Sequence, residues 1–587
     1  MQSKERKVLR QAINDHSGPG IEVTWAATGI LGCIFTSPAL AAVDTWSGTS
    51  DRWANGTSWS SGAPPANGDS ATLNNAPGIS SATLTFDSNT ANVSLGQLII
   101  DGVSGGSIIL DQTGGNLTPG TEEVGNTASA ALDLTGGNHL VSNLYLGYST
   151  LSSSGTISLS APAKLTVLGT EVLGYNGAGS FTQTGGTHSV SGSLFAGANN
   201  GSTGIYNISG GSATIGGSAY WGWAASRASG TCNLSGTASL TVSGSEYVGN
   251  SGPGTFNQSG TSVHAVGTAL YLGYNSSASG MYNLSNSAAL SVTGSEYVGY
   301  NGAGLFTQSG GTHTVSGALY LAFNAAGASG TYNLSGSSSL LSVTGEEVIG
   351  YNGLANFQQS GGSHTIGGPL FLGVNTGASS TYNLSAAAAL TVGGAEYLGY
   401  QGGTANFVQS GGSHLVAGTM TIASSSGYTL SGGTLSASVV NHGSFTLSGG
   451  MLSGTLDDYN TFTDDGGSLN GSLLIEPSGT MTLGPGAAIF SVLDLVDAPD
   501  DSTLPGYIAA HVISANPGNP AIAFYDPSQA ANTYLDDQTY ALGNGGYLSP
   551  TVASVPEPWW LGLVSPLAVP CLLGRRTRRR QIAGGHK

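Results

Sequence analysis

One segment, GSEYVGYNGAGLFTQSGGTHTVSGALYL from Gly294 to Leu321, recurs as near-copies that begin at Gly169, Gly244, Gly345 and Gly394. The glutamates Glu246, Glu296, Glu347 and Glu396 fall about 50 residues apart, but Glu171 precedes Glu246 by about 75, so the underlying unit is half as long. The halves do align: SEYVGYNGAGLFTQSGG matches ALYLGYNSSASGMYNLSNS at Ala269 to Ser287, and about 12 such units fit between Gly120 and Ala423. A unit this short cannot bury its own apolar side and must stack on its copies. Each copy holds three short Tyr, Val, Leu, Phe and Thr runs separated by Gly, Ser and Asn, which reads as three strands per unit. The expectation is an all-β chain folded as a right-handed parallel β-helix (β-solenoid) with coils of about 25 residues. In that fold each coil pairs with the next and like side chains stack at about 4.8 Å. The regular unit, without hairpin signals between strand pairs, favours this over a series of β-sandwiches.

Composition agrees. Of 587 residues 95 are Gly and only 7% are charged. That is too apolar for a disordered chain and too glycine-rich for an ordinary helical or α/β domain. The 13 Lys and Arg crowd the two ends, leaving only Arg52, Lys164 and Arg227 between them, while the net charge is −18. An acidic body repels nucleic acid and anionic headgroups, so neither is an expected partner, whereas neutral polysaccharide fits. Cys33 and Cys571 lie in apolar end segments, which leaves Cys232 alone in the body and no disulfide framework.

The ends read as addresses. Before the body stand Lys4, Arg6, Lys7 and Arg10, the apolar run Val23 to Phe35, and Ala39 and Ala41 in the small-x-small pattern of a signal peptidase site. A lipoprotein reading with Cys33 as the lipidated residue competes with it. At the other end come Pro556-Glu557-Pro558, an apolar run from Trp559 to Gly574 shorter than the roughly 20 residues that span a bilayer, and the cluster Arg575, Arg576, Arg578, Arg579 and Arg580. The arginines would hold the tail on the cytoplasmic side as an anchor or stop.

That order of tripeptide, apolar run and arginine cluster resembles the PEP-CTERM sorting signal of Gram-negative bacteria that make exopolysaccharide. The resemblance covers about the last 33 residues. It implies that an exosortase-type membrane enzyme recognises Pro556, Glu557 and Pro558, and that the protein passes through an inner-membrane-anchored stage to the cell surface or extracellular matrix. Trp46, Trp53 and Trp59 with GAPPANGDSATLNN resemble the opening block of autotransporter-like repeat proteins, where they are expected to cap the first coil. The expected organisation is a signal peptide at 1–41, an N-terminal cap with first coils at 42–119, double-coil repeats at 120–423, shorter coils at 424–490, a C-terminal cap at 491–554 and a transmembrane sorting signal at 555–587.

Within the repeat a polar trio recurs: Glu171/Gln183/His188, Glu246/Gln258/His264, Glu296/Gln308/His313, Glu347/Gln359/His364 and Glu396/Gln409/His414. The first unit keeps Glu122 and His139 with Leu134 for the Gln. The trio shares strand parity with apolar residues such as Val298, Phe306 and Val315. Two readings stand: a buried hydrogen-bond network in alternate coils, or residues on a solvated face. Metal binding by the trio would need ligands converging within one coil, and catalysis has no use for five copies, so no catalytic residue, metal or cofactor is assigned. The opposite parity carries Tyr145, Phe195, Tyr220, Tyr247, Tyr271, Tyr297, Tyr320, Phe371 and Tyr397. They read as a cross-strand aromatic stack, or, at Tyr247, Tyr271, Tyr297, Tyr320 and Tyr397, as a platform for sugar rings. Asn207, Asn233, Asn283, Asn333 and Asn383, each in Asn-x-Ser, are expected to mark turn ladders.

The leading expectation is an exported, non-enzymatic structural or adhesive rod associated with exopolysaccharide. The rival is a polysaccharide-active lyase or glycosidase on the same scaffold. Lys164 and Arg227 lack the acidic neighbours a lyase wants, but Asp457, Asp458, Asp464 and Asp465 offer the carboxylates a glycosidase needs. A regular Thr-x-Thr face, as ice binding would require, is missing.

Overall fold

The computed structural model describes the chain from Ala42 to Leu483, apart from Ser104, Ala225, Ser226 and 476–478, and beyond it only a few short strands up to Leu548. Ala39 and Ala41 of the expected signal peptide, the expected sorting motif Pro556, Glu557 and Pro558 with the arginines that follow it, and nearly all of 491–554 lie outside the described residues. The chain divides into Met1–Ala42 and Val43–Lys587, and the fold lies in the second unit. Among the described residues no helix is long and apolar enough to cross a membrane.

Val43–Lys587 contains an all-β parallel solenoid, with one 3-10 turn at Gly56–Ser58 as its only helix among the described residues. Three strands make a turn of the central repeat. In one turn they are Glu296–Val298, Ala303–Gln308 and Thr312–Val315, and each pairs in parallel with its counterpart in the turns before and after. Glu296, for example, sits between Leu270 and Leu319. The alternative of a β-sandwich series is excluded, because every ladder between strands from Val43 to Leu483 is parallel. The stack begins earlier than the repeat pattern: Val43–Gly48 already pairs with Ser70–Asn75. Toward the far end the turns shorten, and Tyr428, Phe445 and Phe462 stack in successive turns.

Why this sequence makes sharp corners is visible at Gly299 and Gly304. Gly299 has φ +81°, and a Cβ there would lie 2.1 Å from the Ser329 carbonyl. A Cβ on Gly304 would lie 2.1 Å from the Gly299 nitrogen. Only glycine lets the backbone turn and close on itself here.

Strand alternation then sorts side chains inward and outward. The inside is a continuous column of Leu, Val and Ile with one aromatic per turn: Phe256, Tyr282, Phe306, Tyr332, Phe357, Tyr382, Phe407 and Tyr428 stack with centroids 4.7–4.9 Å apart. The outer sides of the three sheets differ. The first carries the aromatics. The second carries amides, with Asn207, Asn233, Asn257 and Asn283 linked side chain to side chain at 2.8 Å. These asparagines sit in strands, not in the turns expected for them, so the ladder runs along a sheet face. The third presents small residues, mostly hydroxyls, at Ser189, Thr214, Thr241, Ala265, Ser291, Thr314, Ser342, Thr365 and Thr391, in register from turn to turn.

The N-terminal tryptophans are packing groups. Trp46 and Trp53 are fully buried and Trp59 nearly so; Trp53 meets Trp59 and Phe86 edge to face at 4.9 and 5.4 Å. The Trp59 indole donates to the Trp53 carbonyl at 3.1 Å.

Candidate functional site

Every Glu, Gln and His of the recurring trio is inside, at 0–1% exposure. The His Nε2 faces the Glu carboxyl at 2.9 Å in Glu171–His188, 3.0 Å in Glu246–His264, 2.8 Å in Glu296–His313 and Glu347–His364, and 2.9 Å in Glu396–His414.

The glutamines correct the expected trio. Gln183, Gln258, Gln308, Gln359 and Gln409 do not bond to the histidines of their own sets; each reaches its histidine only through a tyrosine hydroxyl brought in by the following turn. Tyr332 donates to Gln308 Oε1 at 2.8 Å and sits 2.9 Å from His313 Nδ1. In the same way Tyr206 joins Gln183 at 2.8 Å to His188 at 2.6 Å, and Tyr282 joins Gln258 at 2.6 Å to His264 at 2.9 Å. Tyr382 joins Gln359 at 2.7 Å to His364 at 3.1 Å, and Tyr428 joins Gln409 at 2.6 Å to His414 at 3.0 Å. The inserted hydroxyl makes the recurring unit a quartet. Burial pushes these phenols well above their ordinary range, with the nearby glutamates adding to it, so they stay protonated donors.

The proton positions follow from donor counting. Gln308 Nε2 donates to the carbonyls of Gly311 and Leu340 at 3.1 and 3.0 Å, so its Oε1 is the acceptor. The other amides are held alike: Gln183 Nε2 donates to Ser212, Gln258 Nε2 to Ala289 and Gln409 Nε2 to Thr434, at 3.0, 2.8 and 3.0 Å. The Tyr332 proton goes to the Gln308 oxygen. His313 Nδ1 must therefore carry a hydrogen and donate to the Tyr332 oxygen. One further proton joins His313 Nε2 to Glu296, as imidazolium against carboxylate or imidazole against carboxylic acid. Without it, two lone pairs would face each other in the dry core. Phe306 stacks on the His313 ring at 4.6 Å and 7°, which fixes its plane. The second carboxyl oxygen of Glu122, Glu171, Glu296, Glu347 and Glu396 has no hydrogen-bond partner, whereas Glu246 Oε1 accepts from the Trp221 indole at 2.6 Å.

The first set is built differently. Leu134 does stand at the aligned position, but Gln112 from the turn before fills the role: its Oε1 meets His139 Nδ1 directly at 2.8 Å, with no tyrosine between, and His139 Nε2 lies 2.6 Å from Glu122. Alignment within one turn could not show this. The Tyr partners were also missed, although a signal was present: apart from Cys232, the inner aromatic position alternates Phe and Tyr from Phe181 to Tyr428, with Tyr one turn after each full trio.

On the outside, Tyr220, Tyr247, Tyr271, Tyr297 and Tyr320 stack ring on ring at 4.7–5.2 Å with planes within 10°. Tyr397 stacks on Phe371 at 5.1 Å. A second column, interrupted at Ala198, Asn250 and Val374, lies three residues further along the turns, and sequence reasoning did not find it. Tyr274 meets Tyr271 edge to face at 5.2 Å and stacks on Tyr300 at 5.0 Å, while Tyr300 meets Tyr297 edge to face at 5.3 Å. The two columns form a herringbone. Tyr247, Tyr271 and Tyr297 have a column tyrosine stacked on either side, so these three offer mainly edges and hydroxyls to the outside.

The aspartate pairs are split by strand parity. Asp458 and Asp464 are fully buried, Asp457 is half-buried and Asp465 exposed. Asp458 accepts from Asn441 Nδ2 at 2.6 Å; Asp464 accepts from the Gly466 and Gly467 nitrogens, both at 3.2 Å. Burial raises both carboxyls to about 6. Asp457 and Asp458 lie on opposite sides of one strand, and Asp464 is buried while Asp465 just beyond its strand is exposed, so neither adjacent pair presents two carboxylates to a common glycosidic bond. Among the described residues no group of three His, Cys, Asp or Glu is placed to hold a metal ion.

No family model, curated protein or solved structure matches the chain. A β-helix scaffold serves structural proteins and polysaccharide-active enzymes alike, so its groups must carry the functional argument.

Proposed function

We propose that the protein is an exported, non-enzymatic rod that organises or adheres to extracellular polysaccharide. The observation that carries the reading is where the polar chemistry goes: each recurring Glu–His–Tyr–Gln set is spent inside the core on its own neighbours. The outer faces are repetitive and nearly uncharged, made of aromatic edges, amides and hydroxyls. A surface like that suits a long neutral polymer touched alike at every turn, and not a reacting bond held at one place. The export and sorting parts of the reading rest on the terminal sequences: signal peptidase at Ala39 and Ala41, and an exosortase-type enzyme at Pro556, Glu557 and Pro558.

The test is co-sedimentation of the purified protein with a panel of bacterial exopolysaccharides, with new reducing ends and unsaturated ends measured in the same tubes. Binding without new ends supports the rod. New ends would overturn it in favour of the lyase or glycosidase reading and direct mutagenesis to Asp457 and Asp465.

A further inference from the structure

The herringbone strip contains something the core avoids: tyrosines in directly adjacent turns. In the interior stack each tyrosine is separated from the next by a phenylalanine, as in Tyr282, Phe306, Tyr332, Phe357 and Tyr382. In the outer column Tyr220, Tyr247, Tyr271, Tyr297 and Tyr320 follow one another without a break, with centroids 4.7, 4.9, 4.9 and 5.2 Å apart. The rings are half-buried, so their edges and hydroxyls are reachable from outside. Sheet pairing holds each phenol over the next, for instance Tyr271 over Tyr297, which removes the entropic barrier to a reaction between them. Cys232, the free cysteine of the described body, is fully buried, so thiols supply no staple between turns.

We propose that the outer tyrosine column is a site of oxidative coupling, at which consecutive turns become joined by dityrosine bonds. Hydrogen peroxide, acting through a haem peroxidase, is the oxidant. Each of two neighbouring phenols loses one electron and one proton, and the two radicals form a carbon–carbon bond between ring positions ortho to the hydroxyls. The ring hydrogens then move to the oxygens to restore aromaticity. Two phenols and one peroxide give one biphenol and two waters. Tyr320 has a proton acceptor already in place, since its hydroxyl donates to Glu346 Oε1 at 2.7 Å. Tyr247 and Tyr271 keep their protons at neutral pH, burial having pushed both up to about 12, so there electron and proton leave together.

The interior column supplies the design of the experiment. The full chain is treated with hydrogen peroxide and a haem peroxidase over a dilution series, and dityrosine is read by its fluorescence and by mass spectrometry of linked peptides. Expected are links joining Tyr220, Tyr247, Tyr271, Tyr297 and Tyr320 to their column neighbours, formed within one chain and unchanged on dilution. The variant Y247F/Y297F imposes the interior's alternation on the outer column, and Phe195 and Phe371 show that the column accepts phenylalanine. It should lose the links at those two positions and keep any between Tyr274 and Tyr300. No dityrosine, links only between chains, or an undiminished yield in the variant would each overturn the proposal. The linked-peptide map of the parent decides independently of how the variant folds.

Discussion

At the scale of single residues, the solenoid contains its own control for each polar group. Glu296 lies between Leu270 and Leu319, Gln308 between Leu284 and Leu334, and His313 between Leu290 and Leu341. Glu296→Leu alone strands His313 Nε2 in an apolar core and should cost about 3–5 kcal/mol. It would be seen as faster amide exchange in the strands of that turn. Replacing the whole set with its neighbours' residues (Glu296→Leu, Gln308→Leu, His313→Leu and Tyr332→Phe) removes every orphan at once and should restore or exceed the parent's protection. If the single variant exchanges no faster than the parent, the network holds nothing. The buried aspartates give a second prediction. Asp458 and Asp464 titrate at about 6 in the folded chain and near 3.8 when unfolded. Between those values the folded state binds more protons, so their stabilisation is complete below about pH 4 and lost as pH rises through 6. Amide exchange at Ser444–Asp458 and Thr461–Asp464, corrected for its intrinsic rate, should slow on going from pH 7 to pH 4. Asp458→Asn with Asp464→Asn should flatten the response.

At the scale of elements, the functional unit is a pair of turns, and the order matters. A turn with Glu, Gln and His must be followed by one that brings Tyr at the inner aromatic position, as Tyr332 follows Gln308. Deleting residues 296–346 removes one complete pair and sets the turn of Leu270 against that of Glu347, a pairing of the kind already seen at Leu319 and Glu347. That variant should fold, with a strand signal in circular dichroism and cooperative melting. Deleting only 319–346 sets Glu296 against Glu347 and Gln308 against Gln359, two buried acids at about strand spacing. It should express poorly or lose protection around the junction. Equal behaviour of the two deletions would show that turns are interchangeable. Much of this level was legible in the sequence, since the repeat names the turns, and the inward parity of the trio follows from alternation beside Val298 and Phe306. Whether that inside was dry was not legible, because Glu and His fit a wet face as well as a paired core. Nor were contacts that cross between turns, such as Tyr332 to His313, Gln112 to His139 and Trp221 to Glu246, because a repeat alignment compares equivalent positions and these join inequivalent ones. The second aromatic column escaped for a related reason: Tyr274 and Tyr300 lie in corners, where strand parity says nothing.

At the scale of the whole described stack, stability should behave as a sum over neighbouring turns and not as one cooperative core. Each contact of consequence reaches only the turn before or after, as the pairings of Glu296 and Gln308 show. A corner substitution such as Gly299→Ala, which forces a Cβ to within 2.1 Å of the Ser329 carbonyl, should therefore raise amide exchange locally and leave distant turns protected. Uniform loss of protection would show that the stack melts as one body. The outer faces differ in chemistry, and the third carries a hydroxyl in register in every turn from Ser189 to Thr391 except at Ala265. A polymer lying along such a face meets the same weak contact many times over, and once one turn is engaged the others bind at high effective concentration. Affinity then depends on how many turns are present more than on any one side chain. Single substitutions on the face would barely register, while each pair of turns lost would weaken binding multiplicatively.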